Sequence, residues 1–184
     1  MPSSGRGHAP DNVVENPGAG IDTVLCKATS YTLAPNVANL TLVGNYAHNV
    51  VGNELNNLIT ASNTGNDTIN GGAGNNIIKA GTGADVLTGG AGHDMFVFSA
   101  VGAGSRVTDF HAGEDLLDLR PLMKAAGYAG TDPVADHSLA LASDGAGGTE
   151  VMADPTHSGT MHNLVDLQHV ALSSLHVGVD LLWH

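Results

Sequence analysis

The sequence predicts an all-β fold: a right-handed parallel β-solenoid closed by a β-rich C-terminal cap. Three observations predict it. A nine-residue period runs from Ser62 to Val97, and short apolar runs recur between Gly, Asn and Asp turns on either side of it. Glycine supplies 25 of the 184 residues while aromatic residues make up 4%. Many glycines and few rings suit thin, repetitive packing better than a thick globular core. A short fixed period is the signature of stacked structural repeats.

The periodic block divides into SNTGNDTIN, GGAGNNIIK, AGTGADVLT and GGAGHDMFV. Against Gly-Gly-x-Gly-x-Asp-x-(large apolar)-x these match at 16 of 20 specified positions. Gly52–Thr60 (GNELNNLIT) keeps the first glycine and the apolar Ile59, with Asn57 in place of Asp, and the extra residue Ala61 breaks the period. Val43–Val51 is weaker still, so the repeat strengthens toward the C-terminus. A flexible Gly/Asn-rich linker would not hold apolar residues at a strict nine-residue spacing.

Each place in the repeat has a physical reason. Glycine at the first, second and fourth places (Gly72, Gly81 and Gly90 at the second; Gly65, Gly74, Gly83 and Gly92 at the fourth) lets the backbone turn without a clashing Cβ. Such a turn aims several carbonyl oxygens into one small volume. The sixth residue (Asp67, Asn76, Asp85, Asp94) adds a side-chain oxygen, and together these offer the shell a calcium ion takes. The seventh to ninth residues form a short strand whose middle side chain (Ile69, Ile78, Leu87, Phe96) points inward. Each nonapeptide is then half a coil, and alternate repeats fall on opposite edges. The spacing pairs Asp67 with Asp85 on one edge and Asn76 with Asp94 on the other, where Asn57 precedes Asn76. Asn is a neutral ligand, so the Asn76 site is expected to bind calcium more weakly than the Asp67/Asp85 site.

GGAGHDMFV and its neighbours resemble the RTX (repeats-in-toxin) calcium-binding family. Upstream, Tyr31–Thr60 is similar to the lead-in before such repeats. Downstream, Phe96–Leu119 (FVFSAVGAGSRVTDFHAGEDLLDL) is similar to the segment that closes the roll in proteins exported by type I secretion. The resemblance spans residues 21 to 184 and implies a parallel β-roll with calcium held between successive turns. It also implies Asp109 and Asp115 as ligands of a last calcium at the end of the roll. Asn57 and Asn76 at Asp positions, and Ser62–Asn63 where two glycines are usual, depart from the family pattern.

Around the repeats the elements come in order. Residues 1–20 read as a flexible N-terminal tail. Residues 21–98 form the calcium-binding roll, with irregular strands near Val24–Leu25, Leu40–Leu42 and Val50–Val51 ahead of the nonapeptides. The outward strand positions become more apolar along the chain, from Thr68 and Asn70 to Met95 and Val97, so the last coils are expected to be covered by the C-terminal part of the chain. Residues 99–184 supply that cover as a capping and type I secretion signal region. Val107–Phe110 and Leu116–Leu119 are strand-like, and Pro121–Ala126 suits a short helix stopped by Gly127. His137–Ala142 and Thr149–Ala153 flank the turn SDGAGG, and Asn163–Val170 and Gly178–Trp183 complete the strands.

Composition narrows the function. The formal charge of −12 comes from a shortage of Lys and Arg. It disfavours nucleic acid, whose phosphates need cations, and anionic membranes, and it suits calcium. No run approaches a membrane span. Cys26 stands alone, so no intrachain disulfide forms, and it reads as a small buried apolar side chain. No His-Glu-x-x-His, Gly-x-Ser-x-Gly or Walker motif occurs, and the histidines show no ligand spacing, so no enzymatic activity is expected. Stacked carboxylates repel one another without a cation, which couples calcium binding to folding. The expected protein is secreted or held at the cell surface. It binds calcium, uses the type I secretion machinery and folds on reaching extracellular calcium. Two other readings stand beside it: a self-assembling structural or adhesive protein (a homo-oligomer or filament), and an accessory or carbohydrate-binding module of a larger exported enzyme.

Overall fold

The computed structural model describes residues 20–154 and 156–184. The expected tail, Gly20 excepted, lies outside them. Strands alternate between two sheets, as a coil of two nonapeptides requires. One sheet runs β1 (Thr23–Cys26), β3 (Asn39–Leu42), β5 (Leu58–Thr60), β7 (Ile77–Lys79), β9 (Met95–Val97), β11 (Leu116–Asp118) and β15 (Leu181–Leu182), all parallel. The other begins β2 (Ser30–Thr32), β4 (Asn49–Val51), β6 (Thr68–Asn70), β8 (Val86–Thr88) and β10 (Ser105–Val107), again parallel. The architecture is an all-β parallel solenoid of about five turns.

One inward residue from each strand, the middle one in the nonapeptide strands, makes the core. In the first sheet Leu40, Ile59, Ile78, Phe96 and Leu117 stand in register and are fully buried. In the second, Val50, Ile69, Leu87, Val107 and Leu167 do the same. Three-residue strands are too short to be stable singly, so stability comes from stacking these columns. The flanking side chains face outward, and their exposure falls along both rows, from exposed Ile77 to half-buried Met95 and from exposed Lys79 to buried Val97.

The covering elements come from the C-terminal part. In α1 (Arg120–Ala125) Pro121 sits in the first turn, where its missing N–H is not needed, and Leu122 and Met123 are buried. Arg120 holds the buried Asp118 through Nε at 2.8 Å and Nη2 at 2.9 Å. β12 (Leu139–Ser143) and β13 (Thr149–Ala153) pair as an antiparallel hairpin. Its turn is set by Asp144 Oδ1, which accepts from the N–H groups of Ala146 and Gly148. β14 (His162–Leu167) pairs parallel to β10 on one side and antiparallel to β13 on the other. The second sheet thereby changes from parallel to antiparallel, and a further parallel coil has nowhere to add. That is how an open-ended solenoid is capped.

Candidate calcium-binding turns

The turns that precede second-sheet strands form one edge, and those that precede first-sheet strands form the other. On the first edge His48, Asp67, Asp85 and Ser105 stand in a column. The N–H of His48 donates to Asp67 Oδ1 at 2.9 Å, the N–H of Asp67 to Asp85 Oδ1 at 2.9 Å, and the N–H of Asp85 to Ser105 Oγ at 3.2 Å. On the second edge the column is Asn57, Asn76, Asp94 and Asp115. Here the N–H of Asn57 donates to Asn76 Oδ1 at 2.9 Å, that of Asn76 to Asp94 Oδ1 at 2.8 Å, and that of Asp94 to Asp115 Oδ1 at 2.8 Å. The 18-residue pairs Asp67/Asp85 and Asn76/Asp94 thus lie one above the other. The second carboxylate oxygen is used within the turn. Asp85 Oδ2 accepts from Gly81 N–H at 3.0 Å, and Asp115 Oδ2 from His111 N–H at 2.8 Å.

These side chains are inside the protein. Asp67, Asp85, Asp94 and Asp115 are all no more than 3% exposed. An ionised carboxylate removed from water is costly unless a counter-charge or several donors compensate it. No Lys or Arg forms an ion pair with any of the four among the described residues; the arginine pair is Arg120 with Asp118. The consequence is a set of raised proton affinities. Burial pushes the Asp85 carboxyl up to about 6, with Asp67 adding to the rise. Burial also raises Asp94, helped by Asp115 and Asp109, and it raises Asp115, helped by Asp109. Asp109 sits on this second edge, where its two oxygens accept the N–H groups of Gly89 at 2.9 Å and Gly90 at 2.8 Å.

The turns supply the rest of an oxygen shell. A Cβ on Gly83 would collide with the Gly65 carbonyl oxygen, one on Gly90 with that of Gly72, and one on Gly92 with that of Gly74. The glycines therefore let successive turns nest with their carbonyls packed close. Gly72, Gly74, Gly90 and Gly92 also have positive φ, between 83° and 132°. Among the described residues no three His, Cys, Asp or Glu side chains converge on a point, so backbone carbonyls must complete any shell. Buried acids without a fixed cation, in turns whose backbone carbonyls pack against the next coil, fit a hard divalent cation taking oxygen ligands. Asp85, Asp94 and Asp115 would hold calcium with the turn carbonyls, and the ion would supply the missing positive charge.

Two features are not evident from the repeat pattern. Asp180 is 1% exposed and extends the second edge: its Oδ1 accepts from Gly113 N–H and its Oδ2 from His176 N–H, both at 2.7 Å. A signal for it exists, because HAGED (His111–Asp115) and HVGVD (His176–Asp180) share His-x-Gly-x-Asp, with Gly113 at φ 86° and Gly178 at φ 88°. Each is a nonapeptide turn stripped of its leading glycines. His48 is the other feature. Its Nδ1 lies 2.9 Å from Asp67 Oδ1, and both side chains are fully buried.

Comparison with known proteins agrees with this geometry. Residues 61–96 match the RTX calcium-binding nonapeptide repeat, in four copies. Among solved structures, the chain is similar to the AlgE6R3 subunit of the Azotobacter vinelandii mannuronan C5-epimerase. The identity is 25% and the TM-score 0.54, covering 73% of this chain and 80% of that one. The AlgE6R2 subunit of the same epimerase is similar at 25% identity and a TM-score of 0.51, covering 72% of this chain and 91% of that one. No curated protein sequence matches. Residues 61–96 are RTX calcium-binding repeats wound into a parallel β-roll, and Ca2+ is the ion this chain binds.

Proposed function

We propose that this chain is a non-catalytic, exported module that remains incompletely folded at low cytosolic calcium, leaves by the type I route, and completes its folding outside the cell as calcium enters its turns. The observation that carries the reading is the set of buried acids on the two edges, Asp85 on the first and Asp94 and Asp115 on the second, none of which has a Lys or Arg partner among the described residues. Their neutralisation and the closure of the roll are one event, so calcium affinity becomes folding free energy. A serine–histidine contact in the cap does not argue for catalysis. Ser138 Oγ is 2.9 Å from His157 Nε2, but Ser138 is fully buried, and no carboxylate forms an ion pair with His157 among the described residues.

Circular dichroism with excess calcium and with chelator tests the coupling. The expected result is full β-structure in calcium and a marked but incomplete loss of it in chelator, and an equally folded calcium-free protein would overturn it. Export is tested separately, by co-expressing the chain with a type I transporter and tracking it into the medium with and without residues 99–184.

The similarity to two subunits of a mannuronan-modifying enzyme favours a second reading, that of an accessory module serving a polysaccharide-processing protein. Co-sedimentation with mannuronan in millimolar calcium checks it, and no retention at any chain length of the polymer rules it out.

A further inference from the structure

We infer that His48 takes the place of a calcium ion in the first turn of the first edge, so that Asp67 serves as an intrachain acceptor while Asp85 serves the ion. An ionised carboxylate offers about four acceptor positions. At Asp67 four donors fill them. Oδ1 receives His48 N–H and His48 Nδ1, both at 2.9 Å, and Oδ2 receives Ser62 N–H and Ser62 Oγ, both at 2.8 Å. At Asp85 the corresponding bonds number two, from Asp67 N–H and Gly81 N–H. The two residues occupy the same place in their repeats, yet only one has lone pairs to spare.

The replacement has a sequence origin. Ser62 stands where a repeat carries its first glycine, and its hydroxyl supplies the extra donor to Oδ2. His48 lies in the degenerate coil ahead of the nonapeptides, with its ring stacked beside Tyr46 at 4.7 Å between centroids. Its Nε2 is buried with no partner, so the Nδ1 contact to Asp67 is the ring's one polar anchor among the described residues.

The second edge repeats the device with amides. Asn76 Nδ2 donates to the carbonyls of Gly74 at 3.1 Å and Gly89 at 3.2 Å, and Asn57 Nδ2 to those of Val37 at 3.2 Å and Ala38 at 3.1 Å. Carbonyls that a cation would gather are gathered by an N–H instead. The roll is therefore graded: its N-terminal coils close with their own donors, and its later coils depend on calcium.

The inference rests on calcium binding by the later turns, and one experiment separates the two. Calorimetric titration of the full chain gives the wild-type calcium stoichiometry. His48→Ala opens the one acceptor position of Asp67 that Nδ1 fills and is expected to add one calcium per chain. His48→Asn places an amide nitrogen where Nδ1 now lies and is expected to leave the stoichiometry at the wild-type value. A wild-type chain that binds no calcium overturns the calcium reading itself, whereas unchanged stoichiometry in His48→Ala overturns this inference alone. Should His48→Ala fail to fold even in calcium, hydrogen exchange on the wild-type chain decides. Amides of residues 48–70 are expected to keep at least tenfold more protection than those of 85–118 in chelator, and equal loss in both segments overturns the inference.

Discussion

The N–H of Asp67 donates to Asp85 Oδ1 at 2.9 Å across 18 residues. One carboxylate therefore does two jobs: it fixes the main chain of the preceding coil, and it stands where a cation is needed. Loss of the negative charge and loss of the hydrogen bond are separable, because an amide retains an acceptor oxygen.

Asp85→Asn keeps that acceptor and removes the charge. The expected outcome is loss of one strong calcium site, with affinity there falling by about tenfold or more because ligand charge tunes calcium binding. The calcium-free protein gains stability, since one buried charge beside Asp67 is gone. Calorimetry and chelator melts read the two effects, and an unchanged isotherm would show that Asp85 is not a ligand.

Asn76→Asp acts in the opposite direction. Its amide now donates to the Gly74 and Gly89 carbonyls, and a carboxylate would turn those donors into repelling oxygens. Calcium-free protein should be destabilised by about 1–3 kcal/mol, the cost of leaving buried polar groups unsatisfied, while one further calcium binds in the holo form. A melt in chelator that does not move contradicts this.

Asp85 also sets a pH dependence. Burial raises its carboxyl to about 6 in the folded calcium-free chain, against about 3.9 in an unfolded one. Between those values the folded state holds more protons than the unfolded state, so stability falls as pH rises through the window. Asp94 and Asp115, raised for the same reason, act in the same sense. Calcium-free protein is expected to melt at higher temperature near the lower end of that window than above it, with the stabilisation by calcium largest at the higher pH. A calcium-free midpoint that rises with pH across the window would count against it.

Gly83→Ala tests the nesting of successive turns. The new Cβ meets the Gly65 carbonyl, which is backbone and has little room to retreat. A loss of about 1–3 kcal/mol is expected even in saturating calcium, as for overpacking elsewhere. Gly113→Ala, where a Cβ meets open space but φ is 86°, separates steric contact from backbone strain. Gly83 lies outside the positive-φ region, so a Gly83→Ala chain as stable as wild type would count against the contact.

The repeat makes much of this protein legible in its sequence because each nonapeptide carries its own turn and its own strand. Ile69, Ile78, Leu87 and Phe96 are readable as core from spacing alone, and all four are fully buried. The helix near Pro121 and the hairpin around Asp144–Gly148 are readable from turn chemistry. Asp180 is harder. Its contact to Gly113 spans 67 residues, and the His-x-Gly-x-Asp it shares with His111–Asp115 lacks the leading glycines that mark the other turns. His48 is hidden for another reason, since an imidazole one coil away from Asp67 belongs to no metal-ligand spacing.

The roll follows from the residues alone: the half-coil period, the inward column, the two edges and the identity of the ion. Those are local properties, repeated until stacking makes them cooperative. Only the tertiary structure decided which carboxylates have lone pairs left for calcium. That depends on the donors around each acid: the His48 ring from the adjacent coil and the Ser62 hydroxyl of its own turn at Asp67, but only the main-chain N–H groups of Asp67 and Gly81 at Asp85. A repeat specifies where an acid will stand, and the coil beneath it specifies whether that acid is already satisfied.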